Sequence, residues 1–324
     1  MTPRGSGLLS VIVPVLNEED NIPELVRRLK AALDDGLPFD IIFVDDGSTD
    51  RTWRLLKSLH AEDPRIKSIR LARTFGHQAA ISAGLRAATG DAVVVMDGDL
   101  QDAPEVVPEF VKRWLDGDDV VYAIRQSRQA SWPKRVAYHV FYRLLARISA
   151  IDLPLDSGDF SLMDRRVVDV LNAMPERPRF VRGMRSWAGF RQSGVPCDRG
   201  DRYAGRTKHT YRMLVRLALD GFFGFSNKPL QLASALGIAV SGVSFALALA
   251  LVFLKLVAGV PLHGTTALLL AVLFLGGVQL ICLGILGEYV GRIYDEVRAR
   301  PPFVIAAVVG DTRLPSPAGT LPRG

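Results

Sequence analysis

Apolar and polar residues follow two rhythms along the first hundred positions. Leu8–Val15 is a β-branched run that reads as a strand, and Phe39–Val44, Ile66–Leu71 and Ala92–Met96 read as three more. Between them apolar residues fall at helical spacing: Ile22, Leu25, Val26 and Leu29 within Glu18–Leu33, then Trp53, Leu55, Leu56 and Leu59, then a small-residue stretch over Gln78–Ala88. Strand and helix in alternation imply a parallel, doubly wound α/β sheet with helices on both faces. Such sheets bind ligands at the carboxyl ends of their strands, so the polar residues after each strand are the first candidates for chemistry.

The pattern changes after about Asn227. Pro229–Leu254 and Leu256–Gly287 each lack any Asp, Glu, Lys or Arg, and each exceeds the roughly 20 apolar residues needed to cross a bilayer. The short turn between them, Ala258–Gly264, predicts a transmembrane hairpin; two buried helices of a soluble core fit these lengths poorly. Lys228 precedes the first span and Arg292, Arg298 and Arg300 follow or end the second, which places both ends on the cytoplasmic side. Two basic amphipathic segments are candidates for lying on the membrane surface. In 211–225 Arg212 and Arg216 accompany Leu214, Leu217 and Phe222, and the segment runs almost directly into the first span. For 134–148, a solvated helix packed on the core is an equal alternative. The division expected is a catalytic domain over 1–226, two spans over 227–294 and a partly disordered tail over 295–324, with Val308–Gly324 read as disordered.

Composition adds less. The formal charge of +6 suggests an anionic partner: nucleic acid, a phosphorylated substrate or an acidic membrane. Nucleic acid is disfavoured, because the basic residues gather near the membrane segments. Cys197 and Cys282 match neither a disulfide framework nor a zinc cluster, so a reducing compartment is expected for the soluble part. Met1–Gly7 is short and polar, and the apolar run after it contains a proline, so a first strand is expected there rather than a signal peptide.

The candidate chemistry sits at strand ends. Met96-Asp-Gly-Asp-Leu-Gln-Asp102 closes the fourth strand, and two carboxylates flanking a glycine repel each other unless a cation lies between them. Oxygen-only ligands favour Mg²⁺ or Mn²⁺, completed by substrate phosphates and water. Asp45-Asp-Gly-Ser-Thr-Asp50 follows the second strand; Ser48, Thr49 and Asp50 suit a turn and helix cap, whereas Asp45 and Asp46 can accept hydrogen bonds from a nucleoside. Asn17 and Glu18 end the first strand, either as caps or, for Glu18, as a nucleoside contact. His77 reads first as a helix-start or loop residue.

Ser10-Val-Ile-Val-Pro-Val-Leu-Asn-Glu-Glu19, Val44–Asp50 and Asp97–Asp102 together resemble the inverting family 2 glycosyltransferases of GT-A fold. Asp156–Asp164, Arg202–Lys208 and Gly277–Tyr294 extend the likeness to their polyprenyl-phosphate subgroup, which is related to dolichol-phosphate mannose synthase and includes bactoprenol glucosyltransferases, over about Leu8–Pro302. The resemblance implies that Pro14, Leu16, Glu18 and Asp46 line a nucleoside site with Asp45 close by. It implies that Asp97 and Asp99 hold the metal and donor diphosphate, with Gln101 completing the shell. Arg125 would contact a donor or acceptor phosphate, Asp159 would take the acid/base position, and Arg202 and Lys208 would grip the acceptor phosphate. Thr207-Lys-His209 departs from the usual Ser-Lys-Tyr. The expected reaction moves a sugar, UDP-glucose being the best guess for the donor, onto undecaprenyl phosphate at the cytoplasmic face of the inner membrane. By resemblance alone the chain would be a homo-tetramer. The competing readings are another lipid or glycan acceptor, and a non-catalytic membrane scaffold.

Overall fold

The computed structural model describes residues 7–125, 157–176, 179–197, 264–312 and 314, with scattered helical residues between 233 and 257. Arg202, Lys208, the segments 134–148 and 211–225, and most of the first expected span lie outside the described residues, as does the side chain of Arg125.

In chain order the elements are β1 (Leu9–Val15), α1 (Ile22–Leu33), β2 (Phe39–Asp45), α2 (Thr52–Glu62), β3 (Ile66–Leu71), α3 (His77–Ala87), β4 (Ala92–Val95), a 3-10 turn at Pro104–Val106, α4 (Val107–Leu115), β5 (Val120–Arg125), β6 (Ser157–Asp164), α5 (Arg165–Ala173), α6 (Val181–Trp187), β7 (Gln192–Cys197), α7 (Thr265–Arg298) and β8 (Ile305–Val309). The chain divides into two compact units. One comprises residues 1–143, 151–208 and 301–324, and the other residues 144–150 and 209–300.

The first unit is built on one eight-stranded sheet of order β7-β5-β6-β4-β1-β2-β3-β8. Its centre is the parallel sheet expected from the alternation, since β4, β1, β2 and β3 all run the same way. The sheet as a whole is mixed: β6 pairs antiparallel with β4 and β5, and β8 antiparallel with β3. Every residue of β1 and β2 is buried, as expected of strands covered on both faces. Alternate side chains feed two cores. Val11, Val13, Ile41 and Phe43 pack on the α1 and α4 side, with Leu25, Leu29, Phe110 and Trp114. Ile12, Ile42, Val44 and Val93 pack on the opposite side with Ile81 and Leu85 of α3, Val168 of α5 and Met184 of α6. Burying a leucine such as Leu25 or Leu29 contributes about 1.5–3 kcal/mol, which explains why the helical spacing of α1 was so legible.

The C-terminal stretch differs from expectation. Val308 and Val309, expected to open a disordered tail, are strand residues of β8, paired with Ile69 and Ser68. Phe303 is buried beneath the Arg86 guanidinium, and Ala72 N–H donates to the Val304 carbonyl at 2.8 Å. Unpaired strand edges are exposed to water or to other chains; here β8 supplies the hydrogen-bonding partner for the β3 edge.

In the second unit α7 is a continuous helix whose stretch Phe274–Arg298 is long and apolar enough to cross a membrane, with none of its apolar window buried. Phe274, Leu280, Ile281 and Leu283 are all more than half exposed, unlike the core helix of a soluble domain. Of the first expected span, an apolar helical piece at Gly237–Leu247 is described. The Cys282 Sγ–H points at the Ala233 carbonyl at 3.6 Å, so Cys282 is a helix side chain within this unit.

Candidate active site

Strand register brings the polar strand ends together. Val15 lies level with Asp45 in the β1–β2 pair, and β4 runs beside β1 in the same direction, so the segments after β1, β2 and β4 emerge at one edge of the sheet. β6 arrives from the opposite direction, with Ser161 opposite Val95. Extending that register by two residues sets Asp159 across from Asp97. An antiparallel strand thus delivers its early residues to the edge where parallel strands deliver their last.

The first two strand ends lock onto each other. Asn17 adopts a left-handed φ of 55°, and its side-chain oxygen accepts the Thr49 N–H at 2.8 Å. Its own N–H donates to Ser48 Oγ, and the Glu18 N–H donates to Thr52 Oγ1. Glu18 accepts from Asn21 Nδ2, and the Glu18 carbonyl receives the first turn of α1. Pro14 is buried in β1 and Leu16 is half-buried.

Asp45 and Asp46 are both turned inward. Asp45 is fully buried; its Oδ1 accepts the Ser48 N–H at 2.8 Å, and its Oδ2 lies 3.4 Å from Arg70 Nε without a hydrogen bond. Asp46 takes the Phe75 N–H on Oδ1 and the Gly76 N–H on Oδ2, at 2.7 and 2.9 Å. Burial pushes the Asp46 carboxyl above its usual value, against the pull of those two N–H groups. Its structural work is to hold the loop that ends at Gly76, where φ is +103° and α3 begins.

Asp97-Gly-Asp99 forms the tight third strand end. A Cβ on Gly98 would lie 2.9 Å from Val15 Cγ1 and 3.2 Å from the Pro14 carbonyl, so only glycine lets this loop press against β1. Asp102 Oδ2 accepts the Asp97 N–H and Asp99 Oδ1 the Gln101 N–H, each at 3.2 Å. Among the described residues no group of three or more His, Cys, Asp or Glu side chains forms a ready metal cage. The donor set still fits a hard divalent ion: two carboxylates on one glycine-bridged loop suit Mg²⁺ or Mn²⁺, which keep most of their shell for phosphate oxygens and water.

Asp159 completes the cluster with partners that sequence reasoning did not assign. His77, the first residue of α3, places Nε2 3.3 Å from Asp159 Oδ2 and 3.5 Å from Asp97 Oδ1. It is therefore a helix-start residue, as first read, and also a bridge between the third strand end and Asp159. Burial alone would lower the His77 pKa, but contact with Asp159 and the charges of Asp97, Asp159 and Asp102 outweigh it and raise the value. Gln78 Nε2 donates to the same Asp159 Oδ2 at 3.0 Å. Burial would raise the Asp159 pKa; His77, Arg182 and Arg185 reverse this and hold the carboxyl below its usual value. Arg185 is 1% exposed, with Nε and Nη2 unpartnered. Desolvation pulls its pKa down to about 10. The sequence carries a signal for the burial of Arg185, though none for its partner: it follows Val181 by four residues and Met184 by one, on the buried face of a short helix.

Residues 10–171 match the model of the glycosyl transferase family 2. An uncharacterized glycosyltransferase of Synechocystis is 44% identical over 95% of this chain and 97% of its own length. The bactoprenol glucosyl transferase of Shigella phage SfII is 40% identical over 92% of this chain and 97% of its own. The prophage bactoprenol glucosyl transferase homolog of Escherichia coli K12 is 38% identical over 93% and 99%. Among solved structures, glucosyl-3-phosphoglycerate synthase from Mycobacterium tuberculosis in complex with Mn²⁺, UDP-glucose and phosphoglyceric acid is 21% identical, covering 67% of this chain and 79% of that one at a TM-score of 0.49.

Proposed function

The chain belongs to glycosyl transferase family 2 and is a glycosyltransferase, and from that premise we propose that it transfers a sugar from a nucleotide donor, with inversion, onto polyprenyl phosphate at the cytoplasmic face of the membrane. UDP-glucose is the first donor to test, because relatives of near-equal length are named bactoprenol glucosyl transferases. The observation that carries the reading is the convergence of Asp97, Asp99 and Asp159 at one sheet edge, above the interlocked ends of β1 and β2.

Each group has a physical task. The Asn17–Thr49 and Glu18–Thr52 contacts, with Asp45 and Asp46 beneath them, form the floor on which Pro14, Leu16 and Glu18 meet the nucleoside. Asp97 and Asp99, helped by Gln101, would hold a divalent ion, which would supply Lewis-acid neutralisation of the diphosphate charge. Arg125, Arg202 and Lys208 hold the acceptor phosphate through charge-assisted hydrogen bonds. A phosphate monoester has its second pKa near 6, so the attacking oxygen is already largely anionic at neutral pH. Strong general-base help is correspondingly unnecessary. Asp159 carries two donors on one oxygen, which makes it a weak base, and its task is to orient the sugar and the neighbouring cations.

The acceptor explains the rest of the chain. α7 and the apolar segment before it form a membrane hairpin whose ends face the cytoplasm, and the basic segments 134–148 and 211–225 rest on the anionic leaflet. The test is incubation of the purified full chain with a panel of labelled nucleotide sugars and undecaprenyl phosphate, with and without EDTA. Label in the lipid phase that EDTA abolishes is the expected result. Label that enters only another lipid or a glycan would assign a different acceptor, and no label from any donor would overturn the proposal.

A further inference from the structure

Gln78 is the point where three elements of the site meet. Its Oε1 accepts the Val181 N–H at 2.9 Å, and its Nε2 donates to Asp159 Oδ2 at 3.0 Å. A backbone N–H can only donate, so the carbonyl end of the amide is fixed towards Val181 and the NH₂ end towards the carboxylate. The Gln78 carbonyl accepts from Ser82 Oγ, which in turn accepts from Arg179 Nε. The first turn of α3 is therefore tied to Asp159 on β6 and to the start of α6, the helix whose Arg182 and Arg185 act on Asp159.

The donors also divide the carboxylate. His77 and Gln78 both approach Oδ2, and among the described residues Oδ1 has no hydrogen-bond partner. A carboxylate anchored through one oxygen presents the other in a fixed direction, and orientation of this kind is worth large factors in rate.

We infer that Gln78 is a positioning residue for Asp159: its amide, polarised by Val181 N–H, anchors Oδ2 so that Oδ1 faces the reacting sugar and phosphate. The rate consequence rests on the transferase reading above; the contact itself does not.

The experiment uses the full chain in detergent, with UDP-glucose or whichever donor the wild type accepts, and undecaprenyl phosphate. Gln78→Ala is expected to lower kcat about 10–100-fold while leaving KM for the nucleotide sugar within about twofold, the pattern of an interaction made in the transition state. In an Asp159→Asn background the same change is expected to lower kcat no further, whereas a merely structural glutamine would cause an additional loss. A second measurement does not require activity. Gln78→Glu sets two carboxylates about 3 Å apart and is expected to lower the melting temperature. Gln78→Glu with Asp159→Asn restores a donor facing an acceptor with reversed polarity, and is expected to recover that temperature without recovering transfer. Wild-type protein inactive with every donor would sink the proposed function and leave the melting temperatures to decide the contact. A double variant that melts no higher than Gln78→Glu, or a Gln78→Ala enzyme with wild-type kcat, would overturn the inference.

Discussion

Arg185→Met separates stability from activity. The guanidinium lies at 1% exposure with two nitrogens unpartnered and its centre 5.4 Å from the Tyr122 ring. Desolvation is the largest influence on it and lowers its pKa well below the ordinary guanidinium value, to about 10, against the opposing pull of Asp159. A cation whose folded-state pKa is depressed destabilises the folded chain at every pH below that value. The cost fades only as pH climbs from about 10 towards the ordinary guanidinium value. At about 1.4 kcal/mol per pH unit of displacement, the charge costs the folded state about 3 kcal/mol at neutral pH. Contact with the Tyr122 ring returns about 1–2 kcal/mol of this. Methionine fills a similar volume without charge, so the variant is expected to gain about 1–2 kcal/mol and to melt about 2–6 °C higher. Asp159 loses a neighbouring cation, and transfer is expected to fall about tenfold, equivalent to roughly 1.4 kcal/mol of barrier. Thermal unfolding followed by tryptophan fluorescence, with initial rates of lipid labelling, reads both effects. A lower melting temperature with undiminished transfer would refute the reasoning, because it would make Arg185 an ordinary packing residue.

Three further changes test two supports of the site and one surface ion-pair cluster of the fold. Gly98→Ala brings a methyl group to 2.9 Å from Val15 Cγ1 and 3.2 Å from the Pro14 carbonyl; it is expected to cost about 1–3 kcal/mol and to slow transfer at least tenfold, read by denaturant titration and rate, and wild-type values for both would contradict the close approach. Asp46→Asn keeps an acceptor for the Phe75 N–H but turns an NH₂ group against the Gly76 N–H, an unmade hydrogen bond worth about 1–3 kcal/mol; a midpoint and a transfer rate equal to wild type would dismiss its hold on the loop before α3. Asp63 is held far below the usual carboxylate range, first by hydrogen bonds from Arg65, against burial, and then by Lys30. That stabilisation is complete above the unfolded pKa near 3.9 and is lost as pH falls towards the folded value. Asp63→Asn should therefore lose about 1 kcal/mol at neutral pH and flatten the stability–pH curve below about pH 4, and an unaltered curve would contradict the assignment.

The central sheet was legible because β1, β2 and β4 are largely apolar runs, β3 keeps Ile66, Ile69 and Leu71 buried between polar residues, and α1 carries its buried residues at three- and four-residue spacing. Ile66–Leu71 was bounded to the residue, and the other strands to within one. What the periodicity did not reveal was the mixed half of the sheet. β6 is Ser157-Gly-Asp-Phe-Ser-Leu-Met-Asp164, in which polar residues hide the strand pattern. β8 is a five-residue run beyond the long apolar helix α7, where composition suggests a tail. The site was read unevenly for the same reason. Asp97 and Asp99 stand out as a motif, whereas Gln78 and Arg185 gain their roles only through partners about 80 and 25 residues away along the chain. His77 illustrates both limits: its place at a helix start follows from local sequence, and its contact with Asp159 follows only from the antiparallel pairing of β6 with β4.

The claim on which all of this depends is that Asp99 and Asp97 bring a divalent ion to the donor diphosphate. Its most direct test is the initial rate of sugar transfer to undecaprenyl phosphate by purified Asp99→Ala protein beside wild type, at matched folding and saturating Mn²⁺ or Mg²⁺. Loss of the ligand removes transition-state charge stabilisation worth several kcal/mol, so the rate is expected to fall by at least about a hundredfold. Turnover within a fewfold of wild type would contradict the metal assignment and the mechanism built on it.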